Sequence, residues 1–247
     1  MKTDTLVDLT SLIEKGSYYN EYQPLWNSST DSIFAYEALI RTTPRVNPLQ
    51  IFEYAREKGH LYKFDTSFIL NAIKEFPKTY FKSFFLFINI FPSTIIHSSF
   101  SNFVLEILSK YPEIKGRIVF EINEDPYEEI HWIDNKFIEG IAYLKQSGFL
   151  IALDDLVINS ITFEKIYKLK PDFAKLDRVC SVELANSHVK QEDIRFLLAF
   201  SKHKTIVVLE GIEKHNDLEK AKQLGVPLLQ GYYIQKPRRL DTNFVSI

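Results

Sequence analysis

The segment Phe149-Leu150-Ile151-Ala152-Leu153-Asp154-Asp155 sets two adjacent aspartates directly behind a short apolar run. The run follows Gly148, which closes a stretch of helical periodicity over Asn135–Ser147, and it reads as a strand. A charged group inside such a run is costly unless it is paired, hydrogen-bonded or bound to a metal. The position of the carboxylates, at the carboxyl end, is therefore the informative feature. The same arrangement recurs in both directions along the chain. Ile33–Leu39 carries Glu37, Phe84–Ile90 carries Asn89, Arg117–Ile122 carries Glu121, Phe173–Leu176 carries Lys175, and Ile206–Leu209 runs into Glu210, with Leu228–Tyr232 a weaker further candidate.

Between these runs lie stretches of helical periodicity: Pro48–Lys58, Lys63–Phe76, Phe100–Lys110, Asn135–Ser147, Ile161–Leu169, Lys190–His203 and Asn216–Leu224, the last closed by Gly225. Strands alternating with helices indicate an α/β protein with a mainly parallel sheet and helices outside it. The sheet either closes into a barrel or stays open and doubly wound. The open dinucleotide fold carries a glycine-rich turn after its first strand, and neither that motif nor a P-loop occurs here. A barrel also explains the polar strand ends, because closure brings all of them to one rim, where barrel enzymes keep their active sites.

The 247 residues are 45% hydrophobic and 25% charged with only 8 Gly and 10 Pro, which excludes a disordered or collagenous chain and fits one domain over residues 1–247. A net charge of -2 leaves no overall positive field to hold a long nucleic acid. The lone Cys180 cannot form an internal disulfide, and the six histidines lack the spacing of a structural zinc site. Met1-Lys2-Thr3-Asp4 does not begin a secretory signal, and the densest apolar stretch, Phe84–Phe91, falls far short of the roughly 20 residues of a membrane helix. A cytoplasmic protein with no membrane segment is expected. The aromatic-rich run Phe81–Phe91 is expected in the core, and Tyr18, Tyr19 and Tyr22 under the first strand.

On one rim, Glu37, Glu121, Asp154, Asp155 and Glu210 would be five carboxylates beside the amide of Asn89, with Lys175 the only cation among them. So many anions at low dielectric repel one another unless a counter-charge is present, and one or two divalent cations would supply it. Oxygen donors suit Mg²⁺, Mn²⁺ or Ca²⁺ better than Zn²⁺. Two such ions about 3.5–4 Å apart need neighbouring carboxylates that reach each of them, as Asp154-Asp155 could, and they serve in-line displacement at phosphorus. Phosphodiester hydrolysis is the reaction class that follows, with Lys175 acting on the nucleophilic water or a phosphoryl oxygen and Gln230 donating to substrate. Taken singly, each residue has a plainer reading: Glu37 or Glu121 as a solvated strand end, Asp154-Asp155 as a helix cap, Asn89 bonded to a buried backbone group, Lys175 paired with Asp177.

The motifs together carry a resemblance. Tyr36-Glu37-Ala38-Leu39-Ile40-Arg41 resembles the signature of the EAL domain, the bacterial family of cyclic di-GMP phosphodiesterases. The likeness continues in order through Tyr22-Gln23-Pro24, Asn89 with Pro92, Glu121-Ile122-Asn123-Glu124, Asp154-Asp155, Lys175-Leu176-Asp177-Arg178, Glu210-Gly211-Ile212-Glu213 and Gln230-Gly231-Tyr232, spanning about residues 18–237. It implies a modified TIM-type (β/α)8 barrel with an antiparallel first strand. It further implies that Glu37, Asn89, Glu121 and Asp154 hold one Mg²⁺ or Mn²⁺, that Asp154, Asp155 and Glu210 serve a second, and that Ca²⁺ inhibits. Lys175 would act on the attacking water, Arg41 would contact a substrate phosphate, Gln23 and Gln230 would bind substrate, and cyclic di-GMP would be opened to linear pGpG, in a protein expected to form a homodimer.

One segment departs from the family's pattern. Phe-Gly-Thr-Gly-Tyr-Ser-Ser is usual after the two aspartates, whereas this chain reads Leu156-Val157-Ile158-Asn159-Ser160-Ile161-Thr162. A positive φ becomes costly at Val157 and tolerable at Asn159. In the family this loop bears on the second metal, the substrate and the dimer contact, and a glutamate at the position of Glu124 anchors it. The expectation is retained chemistry with a differently set loop and low activity. A receptor that binds cyclic di-GMP without cutting it is the alternative favoured by that loop. A purely interacting domain would have lost the carboxylates.

Overall fold

The computed structural model describes residues 17–123, 125–201 and 204–240. Eight strands, β1 (Tyr18–Asn27), β2 (Ser32–Thr42), β3 (Phe85–Ile90), β4 (Ile118–Ile122), β5 (Leu150–Leu156), β6 (Phe173–Leu176), β7 (Ile206–Leu209) and β8 (Leu228–Leu229), close in chain order into a barrel. Each successive pair from β2 to β8 is parallel, and β1 is antiparallel to both β2 and β8. Around them lie α1 (Pro48–Glu57), α2 (Leu61–Glu75), α3 (Pro92–Ile95), α4 (Phe100–Lys110), α5 (Asn135–Gln146), α6 (Ser160–Leu169), α7 (Arg178–Ser181), α8 (His188–Ser201) and α9 (His215–Leu224). The seven expected helices fall within two residues of the observed starts; the expected end of the sixth, His203, lies outside the described residues. Gly148 and Gly225 close their helices at φ +92 and +80, as the sequence reading required.

Periodicity did not find β1. It carries Glu21, Gln23 and Pro24, and a strand with polar residues and a proline does not read as one from its pattern. Tyr18, Tyr19 and Tyr22 therefore lie within the first strand and not beneath it. The Tyr22 ring is buried against Phe76, and its hydroxyl donates to the Ala72 carbonyl of α2 at 3.0 Å. In the opposite direction β8 is shorter than Leu228–Tyr232, so Gln230, Gly231 and Tyr232 follow the strand.

The apolar interior has two parts. The larger lies between barrel and helices and includes Phe81, Ile88 and Ile90 of the aromatic-rich run. The smaller fills the barrel itself with one residue from each strand: Leu25, Ala35, Phe87, Val119, Ala152, Phe173, Val208 and Leu228. It is a packed plug, as barrel interiors of this size are, and it forms the floor of whatever lies above.

Just beyond the end of β3, α2 buries Asp65 completely, with its Oδ2 accepting from the Phe91 amide at 3.2 Å. Burial pushes its carboxyl up to about 7, with the Thr94 hydroxyl and Phe91 amide opposing and the Glu128 charge adding. An acid whose folded-state value is raised stabilises the fold fully below its unfolded value of 3.8, and that contribution is lost as pH rises through about 7. Thermal melts of Asp65→Asn from pH 4 to pH 8 should accordingly fall less with pH than those of the unsubstituted protein. Parallel curves would remove Asp65 as the source.

Candidate active site

Side chains along a strand alternate faces, so the residue two positions beyond a plug residue also points into the barrel. Two residues toward the carboxyl end from Ala35, Phe87, Val119, Ala152, Phe173, Val208 and Leu228 stand Glu37, Asn89, Glu121, Asp154, Lys175, Glu210 and Gln230. On the reversed β1 the step runs the other way, from Leu25 to Gln23, which pairs in register with Glu37. The polar residues picked out at the strand ends thus form one layer over the apolar floor.

Lys175 is the centre of that layer and only 1% exposed. Its Nζ meets Glu210 Oε1 at 2.7 Å, Asp154 Oδ1 at 2.9 Å and Glu37 Oε2 at 3.6 Å, and contacts Glu121 Oε1. Gln230 Nε2 donates to Glu37 Oε2 at 2.6 Å, and Asn89 Nδ2 donates to Glu121 Oε2 at 3.3 Å. Gln230 reaches this place because Gly231 lets the backbones touch: a Cβ there would lie 2.1 Å from the Ile212 carbonyl oxygen. The plain pairing of Lys175 with Asp177 does not form, since Asp177 caps α7 through the Val179 amide at 2.7 Å.

Adjacent strand residues ordinarily face opposite ways, yet Asp154 and Asp155 share the site. The β5–β6 register shifts between Leu153 and Leu156, and Asp155 takes a left-handed φ of 55. This bulge turns both carboxylates to the rim. In the following loop neither Val157 nor Asn159 takes a positive φ: Asn159 has φ -157 and caps α6 by accepting from the Thr162 amide at 3.0 Å. Two aspartates as a helix cap are likewise excluded, because Asn159 holds that post. Asn123, which sequence reasoning gave no role, donates to Asp155 Oδ2 at 3.1 Å. Its only signal was its place two residues after Glu121. Glu124 lies outside the described residues.

The electrostatics follow from crowding. Burial alone would lower the Lys175 ammonium, but Asp154, Glu121, Glu210 and Glu37 outweigh it and hold the group well above its ordinary value. Burial pushes Glu121 well up, with the Glu37 charge adding and Lys175 opposing. Glu210 is raised in the same way by desolvation, against the pull of Lys175. At the lip, desolvation and then the Asp154 charge push Asp155 up to about 6. Five carboxylates facing one ammonium leave an excess that divalent ions would balance. Carboxylate oxygens of Asp154, Asp155 and Glu210 come within 4.8 Å of one another, an all-oxygen donor set that fits a hard cation. Glu121 Oε1 and Asp154 Oδ1, both buried, have no donor besides the ammonium.

The other expected residues lie around this centre. Gln23 lines the cavity of about 460 Å³ above the layer, its Nε2 donating to the Gln235 carbonyl at 3.1 Å. Arg41 lines a neighbouring cavity of about 550 Å³; its Nε is held by Glu21 at 2.9 Å and its Nη1 donates to the Ile40 carbonyl. The two cavities share Leu39, Asn89, Asn123 and Asp155 as a common wall.

The EAL domain family matches residues 6–237, nearly the whole chain. The chain belongs to the EAL domain family. Its signature Glu37-Ala38-Leu39 divides by face on β2: Glu37 enters the polar layer, Ala38 packs under the helices, and Leu39 lines both cavities. Among EAL relatives, the cyclic di-GMP phosphodiesterase TpdA of Vibrio parahaemolyticus is 26% identical over 226 residues, covering 91% of this chain and 38% of TpdA. The chain spans less than half the length of the curated relatives it matches. The EAL domain of Xanthomonas citri FimX, solved in complex with cyclic di-GMP, superposes with a TM-score of 0.83 at 18% identity, covering 96% of this chain and 94% of that one. BlrP1 of Klebsiella pneumoniae, solved with manganese and cyclic di-GMP, gives a TM-score of 0.78 at 20% identity over 90% of this chain and 56% of its own. Among the described residues no helix is long and apolar enough to cross a membrane.

If the ammonium is the counter-ion that divalent cations would relieve, Lys175→Met should lower stability without added metal by roughly 3–5 kcal/mol, the cost of stripping one partner from a buried ion pair. Mn²⁺ should then raise the melting temperature of the variant more than that of the unsubstituted protein. Equal Mn²⁺-induced shifts would show that ammonium and cation do not share these carboxylates.

Proposed function

We propose that this chain is a metal-dependent phosphodiesterase that hydrolyses cyclic di-GMP to linear pGpG in the cytoplasm. The observation that carries the reading is the convergence of Glu37, Glu121, Asp154 and Glu210 on Lys175, with Asp155 turned in beside them by the bulge. Asp154, Asp155 and Glu210, with Glu37, Asn89 and Glu121 adjoining, would hold Mg²⁺ or Mn²⁺. When bound, two such ions supply a nucleophilic water at neutral pH and offset charge on the attacking and leaving oxygens.

The chain's own residues supply the rest. The Lys175 ammonium, protonated by its surroundings, is a donor fixed at the centre of the layer, where it can orient the attacking water or meet charge that grows on a phosphoryl oxygen. Gln230, tied to Glu37, fixes the orientation of that carboxylate. Arg41 lines the larger cavity with its Nε on Glu21, and its guanidinium would contact a substrate phosphate. Its Ca²⁺ complex would hold substrate with little turnover. A homodimer is the expected assembly, supported by Val157 in the loop after the aspartates and Ile161 in the first turn of α6, which are 48% and 59% exposed.

Receptor behaviour is a second reading, favoured by that same loop. The Thr162 hydroxyl donates to the Val157 carbonyl and Asn159 caps the helix, so the segment is fixed by its own contacts. Turnover is then set by the loop, while binding is not.

Purified protein incubated with cyclic di-GMP and Mn²⁺ or Mg²⁺ should yield pGpG, and Glu37→Ala should abolish it. Binding in Ca²⁺ with no product under Mn²⁺ would support the receptor, and neither binding nor product would reject both. Lys175→Ala should lower kcat by roughly 10²–10³-fold, as loss of a transition-state donor does, with little change in KM; equal loss in both would reject its role.

Restoring glycine at Val157 and Asn159 should raise turnover. An unchanged rate, in a protein already as fast as active family members, would place the loop outside catalysis.

A further inference from the structure

Above the polar layer, β1 and β2 continue as a ladder of inward-facing pairs. Gln23 is opposite Glu37, Glu21 opposite Leu39, and Tyr19 opposite Arg41. The intervening residues of β1 face the other way, since the Tyr18 hydroxyl bonds to the Ser67 hydroxyl and the Tyr22 hydroxyl to the Ala72 carbonyl, both on α2. Tyr19 and Arg41 therefore stand at the mouth of the barrel, beyond Gln23 and Glu37 on the same face. Just beneath them Glu21 holds two guanidinium groups, Arg41 Nε at 2.9 Å and Arg45 Nη2 at 3.2 Å.

The segment after β8 adds cations to the same ridge. Strand β8 pairs with Trp26 and Asn27 of β1, and further toward the mouth that edge of β1 is met by Arg238. The Tyr22 amide donates to the Arg238 carbonyl at 2.7 Å, and the Arg238 amide donates to the Tyr22 carbonyl at 3.1 Å. Fixed in this way, the segment lays the Arg239 guanidinium 3.9 Å from the centre of the Tyr19 ring. Lys236 Nζ lies 5.6 Å from the ring of Tyr232, which lines the cavity above the polar layer. Arg41, Arg45, Lys236 and Arg239 thus gather around the mouth, with the single carboxylate of Glu21 among them. Deeper in, the sign reverses, because the carboxylates of the polar layer outnumber the Lys175 ammonium. The whole chain carries a net charge of -2. A dianionic cyclic dinucleotide would be repelled by both the net charge and the layer, and the ridge is the local field that turns its approach favourable.

We propose that Arg45, Lys236 and Arg239 form a cationic ridge that speeds capture of the anionic cyclic dinucleotide and delivers it to Arg41 and the polar layer. The inference rests on cyclic di-GMP being the ligand, and it gives a role in association to side chains that stand at the mouth and not in the layer. Charges at a rim act on the rate of encounter and are screened by salt, whereas a group that grips the bound ligand acts on its release. The three side chains are exposed, so their ion pair and ring contacts add little to stability.

The test is stopped-flow binding of 2′-O-anthraniloyl cyclic di-GMP, a fluorescent analogue that keeps both phosphates, to the full chain in Ca²⁺. Measurements at about 0.01 M and about 1 M salt set the reach of the field to roughly 30 Å and 3 Å. The triple variant Arg45→Gln, Lys236→Gln, Arg239→Gln should associate roughly 10-fold more slowly at low salt, with its dissociation rate unchanged. The difference should vanish at high salt, and the corresponding Glu substitutions should slow association further. Lys82→Gln, Lys115→Gln and Lys204→Gln together remove the same charge from exposed positions ahead of β3, β4 and β7, at the opposite end of the barrel, and should leave association near that of the unsubstituted protein. Unchanged melting temperatures would confirm that both variants fold. Equal slowing in the two variants would make net charge the cause and overturn the ridge. Unchanged association, or a loss confined to faster dissociation, would also overturn it while the ligand stands. If the unsubstituted protein does not bind cyclic di-GMP, labelled or not, the ligand reading falls and the inference with it.

Discussion

An ammonium wedged among carboxylates is the interaction on which the site depends. Lys175 is essentially buried, and it is there because β6 carries it two residues above Phe173 in the apolar plug. Removing a charge from water is costly, and only the surrounding anions make it tolerable. The anions have the same need: Glu121 is fully buried and Glu37 and Asp154 nearly so. Each side of the pairing makes the other's burial affordable, and the whole layer is consequently as constrained in position as a hydrophobic core.

The plug and the polar layer are one construction. Alternation along each strand converts eight apolar residues into a floor and the next inward positions into a ring of functional groups. Where chemistry needs two neighbouring carboxylates, alternation is broken locally by the bulge in β5, and Asp155 adopts a backbone conformation that most residues avoid. Asp is among the few side chains that tolerate it. The second cavity stands outside this ring, on α1 and the segment after β4, and it differs in kind: the rings of Phe52, Phe91 and Tyr127 and the ion pairs of Arg56 in place of crowded anions.

Much of this was legible in the sequence, for identifiable reasons. Strands β3, β4 and β6 are short apolar runs with one polar residue each, β5 carries the two aspartates near its end and β7 runs straight into Glu210. Burial permits a polar residue there only at an end with a purpose. Helix ends at Gly148 and Gly225 follow from backbone geometry alone. The first strand was hidden because Gln23 faces the polar layer and Pro24 interrupts the pattern, so its membership in the sheet is set by neighbours and not by its own composition. The bulge was hidden too, since two aspartates in sequence give no sign that the second is left-handed. Tyr19, Arg45 and Arg239 come together only through the pairing of β1 with distant segments, and no local spacing announces it.

The reversed direction of β1 has a mechanical corollary. Its first residue, Tyr18, pairs with Thr42 at the far end of β2, so the polypeptide enters the barrel from the mouth and not from the base. Five residues further on, Gln23 sits across from Glu37. Tension or torsion applied to the chain just ahead of Tyr18 would be transmitted through a single extended strand to the edge of the polar layer, with no loop between to absorb it.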